Sequence, residues 1–292
     1  MSQRTYSRRW SGLDGATRQG AVRRVAAVAA LAIVSGCARV PPPDLSRDPA
    51  LLLEQVRAAQ ERVTACRGPA RLSVSSSDLS GSLDAWVAAE KGGRVRVEIF
   101  DFFGNPAAVL VAGAGRFALY DARAGAVYRG DDSKENLARL VPVPIGVREL
   151  ASVICGSAPI IDGRAVLAEA GDGVLFLEIA GDSGRQVLAV GEGGAVRSVS
   201  FLPGPRAGTP WKAAFSVFRH PAGRRFPTDV ELRGGGAELS LHWKDDLEVN
   251  RPPEPALFQL EPPRGARVVD LPPGTGPPPL DLPIHPTTPS RQ

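Results

Sequence analysis

The strongest constraint on the fold is a two-residue alternation that recurs along the chain and is cut by runs of glycine. Arg94-Val95-Arg96-Val97-Glu98-Ile99 sets Val95, Val97 and Ile99 on one side and charge on the other. Phe226, Thr228, Val230 and Leu232 alternate with Asp229, Glu231 and Arg233. Leu239, Leu241 and Trp243 alternate with Glu238, Ser240 and His242. Successive strand residues point to opposite faces, so these segments are strands with one apolar face. Gly92-Gly93, Gly193-Gly194 and Gly234-Gly235-Gly236 provide the hairpin turns between them. About ten to eleven such strands predict a mainly β, α+β chain built on a curled antiparallel half-barrel.

Helices are predicted in two places. Asp48 before Pro49 makes an N-cap and first-turn pair. Leu52, Val56, Ala59 and Val63 then recur at helical spacing, and Gly68 ends the element. Residues 133–155 read as two helical pieces inserted between strands. Ser133 caps the first, which carries Leu137 and Leu140, and Pro142 and Pro144 break it. Ile145, Val147, Leu150 and Val153 continue in the second, and Gly156 stops it. The N-terminal helix and this inserted lid would cover an open sheet. A covered, curled sheet holds either a packed core or a ligand cavity. Periodicity alone favours the packed core.

The ends of the chain are distinctive. Residues 25–34, VAAVAALAIV, form an apolar run about half as long as a bilayer span. Arg23 and Arg24 precede it and small residues follow, which describes a secretory signal over residues 1–36. Val34-Ser35-Gly36-Cys37 resembles the bacterial lipobox. That resemblance implies cleavage before Cys37 and acyl chains on its thiol and amine. At about 0.8 kcal/mol per buried methylene, several chains make a firm anchor. Residues 1–36 hold six arginines and one aspartate, whereas the whole chain is +4, so the remainder is close to neutral. The basic balance belongs to the signal and gives no reason to expect nucleic acid as a partner.

Residues 37–47, with Pro41-Pro42-Pro43, read as a tether, and residues 48–270 as one domain. Thirteen of the 27 prolines follow Arg251, so residues 271–292 are expected to be a disordered proline-rich tail. Cys66 and Cys155 would stand in an oxidising compartment, either as a disulfide or as two buried thiols. Catalytic chemistry finds no footing. There is no metal-ligand spacing, no nucleophile elbow and no phosphate loop, so no metal, cofactor or catalytic residue is assigned and the chain reads as a non-enzyme.

One loop is unusual. Phe102 and Phe103 come directly before Gly104-Asn105-Pro106, where turn chemistry calls for exposure. From here a family resemblance emerges. Phe103-Gly104, the segment Leu119-Tyr120-Asp121 through Tyr128, Asp131-Asp132 with the Ser133 helix, and Val143-Pro144-Ile145 through Leu150 to Gly156 resemble, in order, the outer-membrane lipoprotein receptor LolB. The hairpin from Glu231 to Trp243 also fits, and Phe258 to Asp270 is similar to the last strand of the periplasmic carrier LolA.

The resemblance implies an acyl-chain cavity on the inner face of the half-barrel. Its candidate wall is Val95, Val97, Ile99 and Leu119 on one side. Val230, Leu232, Leu239, Leu241 and Trp243 form the other. Leu137, Leu140, Ile145, Leu150 and Val153 would form the lid. It further implies that the tip at Phe103, with Phe102 beside it, enters the membrane. The partners would then be lipoprotein acyl chains, a periplasmic LolA-like carrier and the outer membrane, reached through the lipid anchor. Ala38 after the lipidated cysteine agrees with outer-membrane delivery. The same fold also serves envelope scaffolds and stress sensors that bind a protein partner without transporting lipid, and fold alone does not separate these roles.

Overall fold

The computed structural model describes residues 44–77, 80–138, 141–171, 173–205, 208–223, 225–273, 275–280 and 282. Cys37, the signal, most of the tether, Leu140 and the last ten residues lie outside this set. Strand accounts for 48% of the chain and helix for 15%, so the mainly β expectation holds.

The sheet contains fifteen strands rather than ten or eleven. In chain order they are β1 (Ala65–Ser75), β2 (Ser80–Glu90), β3 (Arg94–Phe100), β4 (Pro106–Gly113), β5 (Arg116–Asp121), β6 (Ala126–Asp131), β7 (Arg164–Ala170) and β8 (Leu175–Gly181). There follow β9 (Gly184–Val190), β10 (Val196–Pro203), β11 (Trp211–Arg219), β12 (Phe226–Gly234), β13 (Ala237–Trp243), β14 (Glu248–Val249) and β15 (Arg267–Asp270). β14 is too short for a periodicity to register, and β2 is rich in alanine and serine, which blurs the alternation.

The order across the sheet is β15-β6-β5-β4-β3-β2-β1-β13-β12-β11-β10-β9-β8-β7, with β14 also paired to β1. Two antiparallel meanders, β1 to β6 and β7 to β13, therefore meet at one seam. Along that seam Ala70 faces Trp243, Leu72 faces Leu241 and Val74 faces Leu239. β15 adds in parallel to β6, with Val268 opposite Val127.

Three α-helices are present among the described residues. α1 (Pro49–Glu61) starts at Asp48, whose carboxylate accepts from the amides of Ala50 at 2.9 Å and Leu51 at 3.0 Å. Its buried residues Leu52, Leu53 and Val56 pack toward β7 and β8. The helix stops at Arg62, not at Gly68. Gly68 lies inside β1, where an added Cβ would meet the Asp246 carbonyl oxygen at 2.8 Å. α2 (Lys134–Leu137) is capped by Ser133, and α3 (Val147–Ile154) is followed by Gly156 in a left-handed conformation. Between them the amides of Val143 and Ile145 bond back two residues, to Val141 at 2.7 Å and Val143 at 2.8 Å. These are γ-turns, a spacing that suits a segment with proline at alternate positions. α3 packs on β2, β3 and β4. Each end of the sheet thus has its own helical cover.

The chain after β15 departs from the expected disordered tail. Leu271 donates its amide to the Arg129 carbonyl at 2.8 Å, Leu271 and Leu280 pack on the core, and Pro277 is buried.

Candidate functional site

Under α1 the sheet is filled by its own side chains. Leu177, Ile179, Leu188 and Val190 are fully buried there, each at 0% exposure. Under α3 it is hollow. A cavity of about 170 Å³ lies between the sheet and the lid. Seven of the nine residues expected in its wall line it: Val97, Ile99, Leu119, Val230, Leu232, Leu239 and Leu241. Val95 and Trp243 do not. Both are fully buried core residues, and Trp243 packs edge-on against Phe226 with ring centroids 6.4 Å apart. Of the lid residues, Leu150 and Val153 line the cavity, whereas Leu137 and Ile145 belong to the core. Leu140 is not described.

Sequence reasoning missed part of the wall. β1 contributes Leu72 and Val74, β2 contributes Leu83 and Val87, and β4 contributes Ala108 and Leu110. Val141, Pro142 and Ile154 join from the lid, and Leu280 and Leu282 from the C-terminal segment. Leu72-Ser73-Val74 and Leu280-Asp281-Leu282 do carry a short alternation, but each is too brief to stand out. The lining is apolar apart from Ser73 and Ser240, which are register partners across the seam. Such a wall offers burial and almost no hydrogen bonding, so it selects hydrocarbon over any polar ligand.

A second cavity, of about 570 Å³, lies by the end of α1 and the β11–β12 turn. Arg62, Ser157, Glu192 and Arg225 line it together with Val63, Val196 and Phe218, so its wall is mixed where that of the first cavity is apolar.

The loop at the end of the β3–β4 hairpin is built on Asp101. Its carboxylate accepts from the amides of Phe103 at 2.9 Å and Asn105 at 2.8 Å. Its own amide donates to the Asn105 carbonyl at 2.8 Å, and Gly104 turns with φ of 83°. Phe102 and Phe103 are 79% and 85% exposed, and the rings meet edge to face at 5.7 Å. They do not fold back on the sheet. Ile99 pairs with Ala108 at the tip end of this hairpin, and both line the cavity, so the phenylalanines project from that end of the wall.

The amide hydrogen bonds from Asn105, and secondarily those from Phe103 and Gly104, hold the Asp101 carboxyl below the usual carboxylate range. A lowered value means that the charged form supports the loop at neutral pH, and the support is lost as pH falls through that value. Amide-exchange protection of Phe103 and Asn105 should therefore persist down to about pH 4 and vanish in stronger acid. Asp101→Ala should remove it at every pH without a change in global Tm.

Cys66 of β1 and Cys155 after α3 are both buried free thiols, in hydrogen-bond contact with sulfurs 3.4 Å apart. Burial, reinforced by the neighbouring thiol, pushes Cys66 up. The pair sits where the lid meets the sheet.

No protein-family model matches the sequence, and no curated protein is significantly similar to it. Among solved structures, a DUF1329 family protein from Desulfovibrio piger superposes with a TM-score of 0.51 at 14% identity, over 73% of this chain and 98% of that one. The two chains share their overall architecture. A LolA superfamily protein from Nitrosomonas europaea is also similar, with a TM-score of 0.48 at 11% identity over 70% of this chain and 96% of that one. At such identities the likeness concerns architecture alone.

Proposed function

We propose that this chain is a lipid-anchored, LolB-like receptor at the periplasmic side of the outer membrane. It takes lipoprotein acyl chains from a LolA-like periplasmic carrier and releases them into the membrane. The observation that carries this reading is the apolar cavity beneath a lid on the inner face of the sheet. Acyl chains in water cost about 0.8 kcal/mol per exposed methylene, so a soluble route needs such a shield. The two exposed phenylalanines beside the cavity end supply a membrane contact for unloading.

An apolar cavity of about 150 Å³ holds a molecule the size of benzene, and drug-sized ligands occupy about 300–1,000 Å³. A cavity of about 170 Å³ therefore accepts the end of one chain, so uptake of a whole chain requires the surrounding elements to move apart.

The Ala38–Gln292 unit should bind a fluorescent fatty acid saturably, at one site. Leu232→Asp should weaken that binding by at least tenfold, because a carboxylate in the wall must be desolvated. Absence of saturable uptake by the parent unit, together with capture of one stoichiometric protein partner, would favour the scaffold or sensor reading.

A further inference from the structure

We propose that the C-terminal segment after β15 is a displaceable strap that plugs the cavity and competes with the acyl ligand. This rests on the acyl-binding reading above. Leu280 and Leu282 stand in the same wall as Val230, Leu232 and the lid residue Leu150. Leu280 also packs on the core, and Pro277 is buried on the way to it. A ligand that fills the cavity beyond its present volume must take the space these leucines occupy.

Among the described residues, the strap is hydrogen-bonded to the sheet only at its upstream end. Upstream, Arg96 donates to the Leu257 and Gln259 carbonyls at 3.0 and 3.1 Å, and Arg94 stacks over Phe258 at 4.6 Å. β15 then pairs with β6, and the Leu271 amide makes the last backbone bond to the sheet among the described residues. Beyond it, the Thr275 amide bonds only to the Pro272 carbonyl, a local turn. Pro272, Pro273, Pro277, Pro278 and Pro279 have no amide to give. The segment carrying Leu280 is thus held by apolar contact, the same interaction that the ligand offers.

Two physical consequences suit a competitor. Tethering at β15 keeps the leucines at high effective concentration near the wall, so they return when the cavity empties. Proline stiffness reduces the disorder gained on release, so the strap re-seats at a smaller entropic cost once the cavity empties. The empty receptor then never shows its full apolar wall to water, and its apparent affinity falls by the fraction of time the strap is bound.

The test compares fluorescent fatty-acid binding by the Ala38–Gln292 unit with that of Leu280→Asp/Leu282→Asp and, as a milder change, Leu280→Ala/Leu282→Ala. Both variants should bind at least tenfold more tightly, and a synthetic peptide of residues 271–292 added in trans should displace the probe. Equal or weaker binding by folded variants overturns the strap and leaves the receptor reading standing. No binding by parent or variants overturns the receptor reading and the strap's competition with it. Binding by the variants alone supports both.

Discussion

Replacing Phe102 and Phe103 together by glutamate should release the Ala38–Gln292 unit from phospholipid vesicles about a hundredfold while leaving its fatty-acid affinity unchanged. Both rings are exposed at the tip of the β3–β4 hairpin and touch each other. Burying a large apolar side chain contributes about 1.5–3 kcal/mol, so two rings at the low end give about 3 kcal/mol, which is roughly a hundredfold in partition. Glutamate adds a charge that resists desolvation. The scaffold of the loop is untouched, because Asp101 bonds to backbone amides and to the side chain of Asn105. The Ala38–Gln292 unit, which lacks Cys37, is the right material, since the acyl anchors proposed on that residue would mask a contact of this size. Vesicle co-sedimentation checks the result. Unchanged partition would mean that the tip does not dock, and a parallel loss of fatty-acid binding would mean that the substitution acts through the cavity.

Trp243→Ala should cost about 3–5 kcal/mol of stability, the usual range for truncating a large buried aromatic. Trp243 is 0% exposed, packs on Phe226 and pairs with Ala70 at the seam. At about 2–4 °C per kcal/mol for a domain of this size, Tm should fall by about 6–20 °C. Trp243→Phe should cost much less. The indole Nε1 is buried with no hydrogen-bond partner among the described residues, and phenylalanine has no such donor to leave unpaired. Urea unfolding of the three proteins tests the pair. A tryptophan variant that loses ligand but not stability would return this residue to the cavity wall.

Trp243 also shows what alternation can and cannot reveal. Period two fixed the face correctly: Val230, Leu232, Leu241 and Trp243 all point inward while Glu231 and His242 point outward. It says nothing about position along the strand. Val95 and Val97 share a face of β3, yet Val95 pairs with Ala89 and Ala112 in the solid core and Val97 borders the cavity. Whether a face is packed or hollow depends on what the lid and the far strands place above it. The lid itself was readable, because Ser133, the two prolines and Gly156 are local signals whose effects stay local. The strap was not. Proline-rich composition predicts an extended chain, and nothing within residues 271–282 reports that a groove exists to receive Leu280. Likewise Leu72, Val74, Leu83 and Val87 become wall only because β1 ends up beside β13.

That juncture of β1 and β13 has a kinetic consequence. Apart from the two-residue β14, which also pairs with β1, every other antiparallel pairing in the sheet joins strands adjacent in sequence, so each meander can zip from its own turns. β1 and β13 must find each other after a long loop has closed, and that entropic cost precedes any contact that rewards it. The seam is therefore where the folding barrier should concentrate. Both its flanks are also cavity wall, so the apolar contacts that bring the two halves into register are the ones that, on the proposed reading, are later offered to cargo.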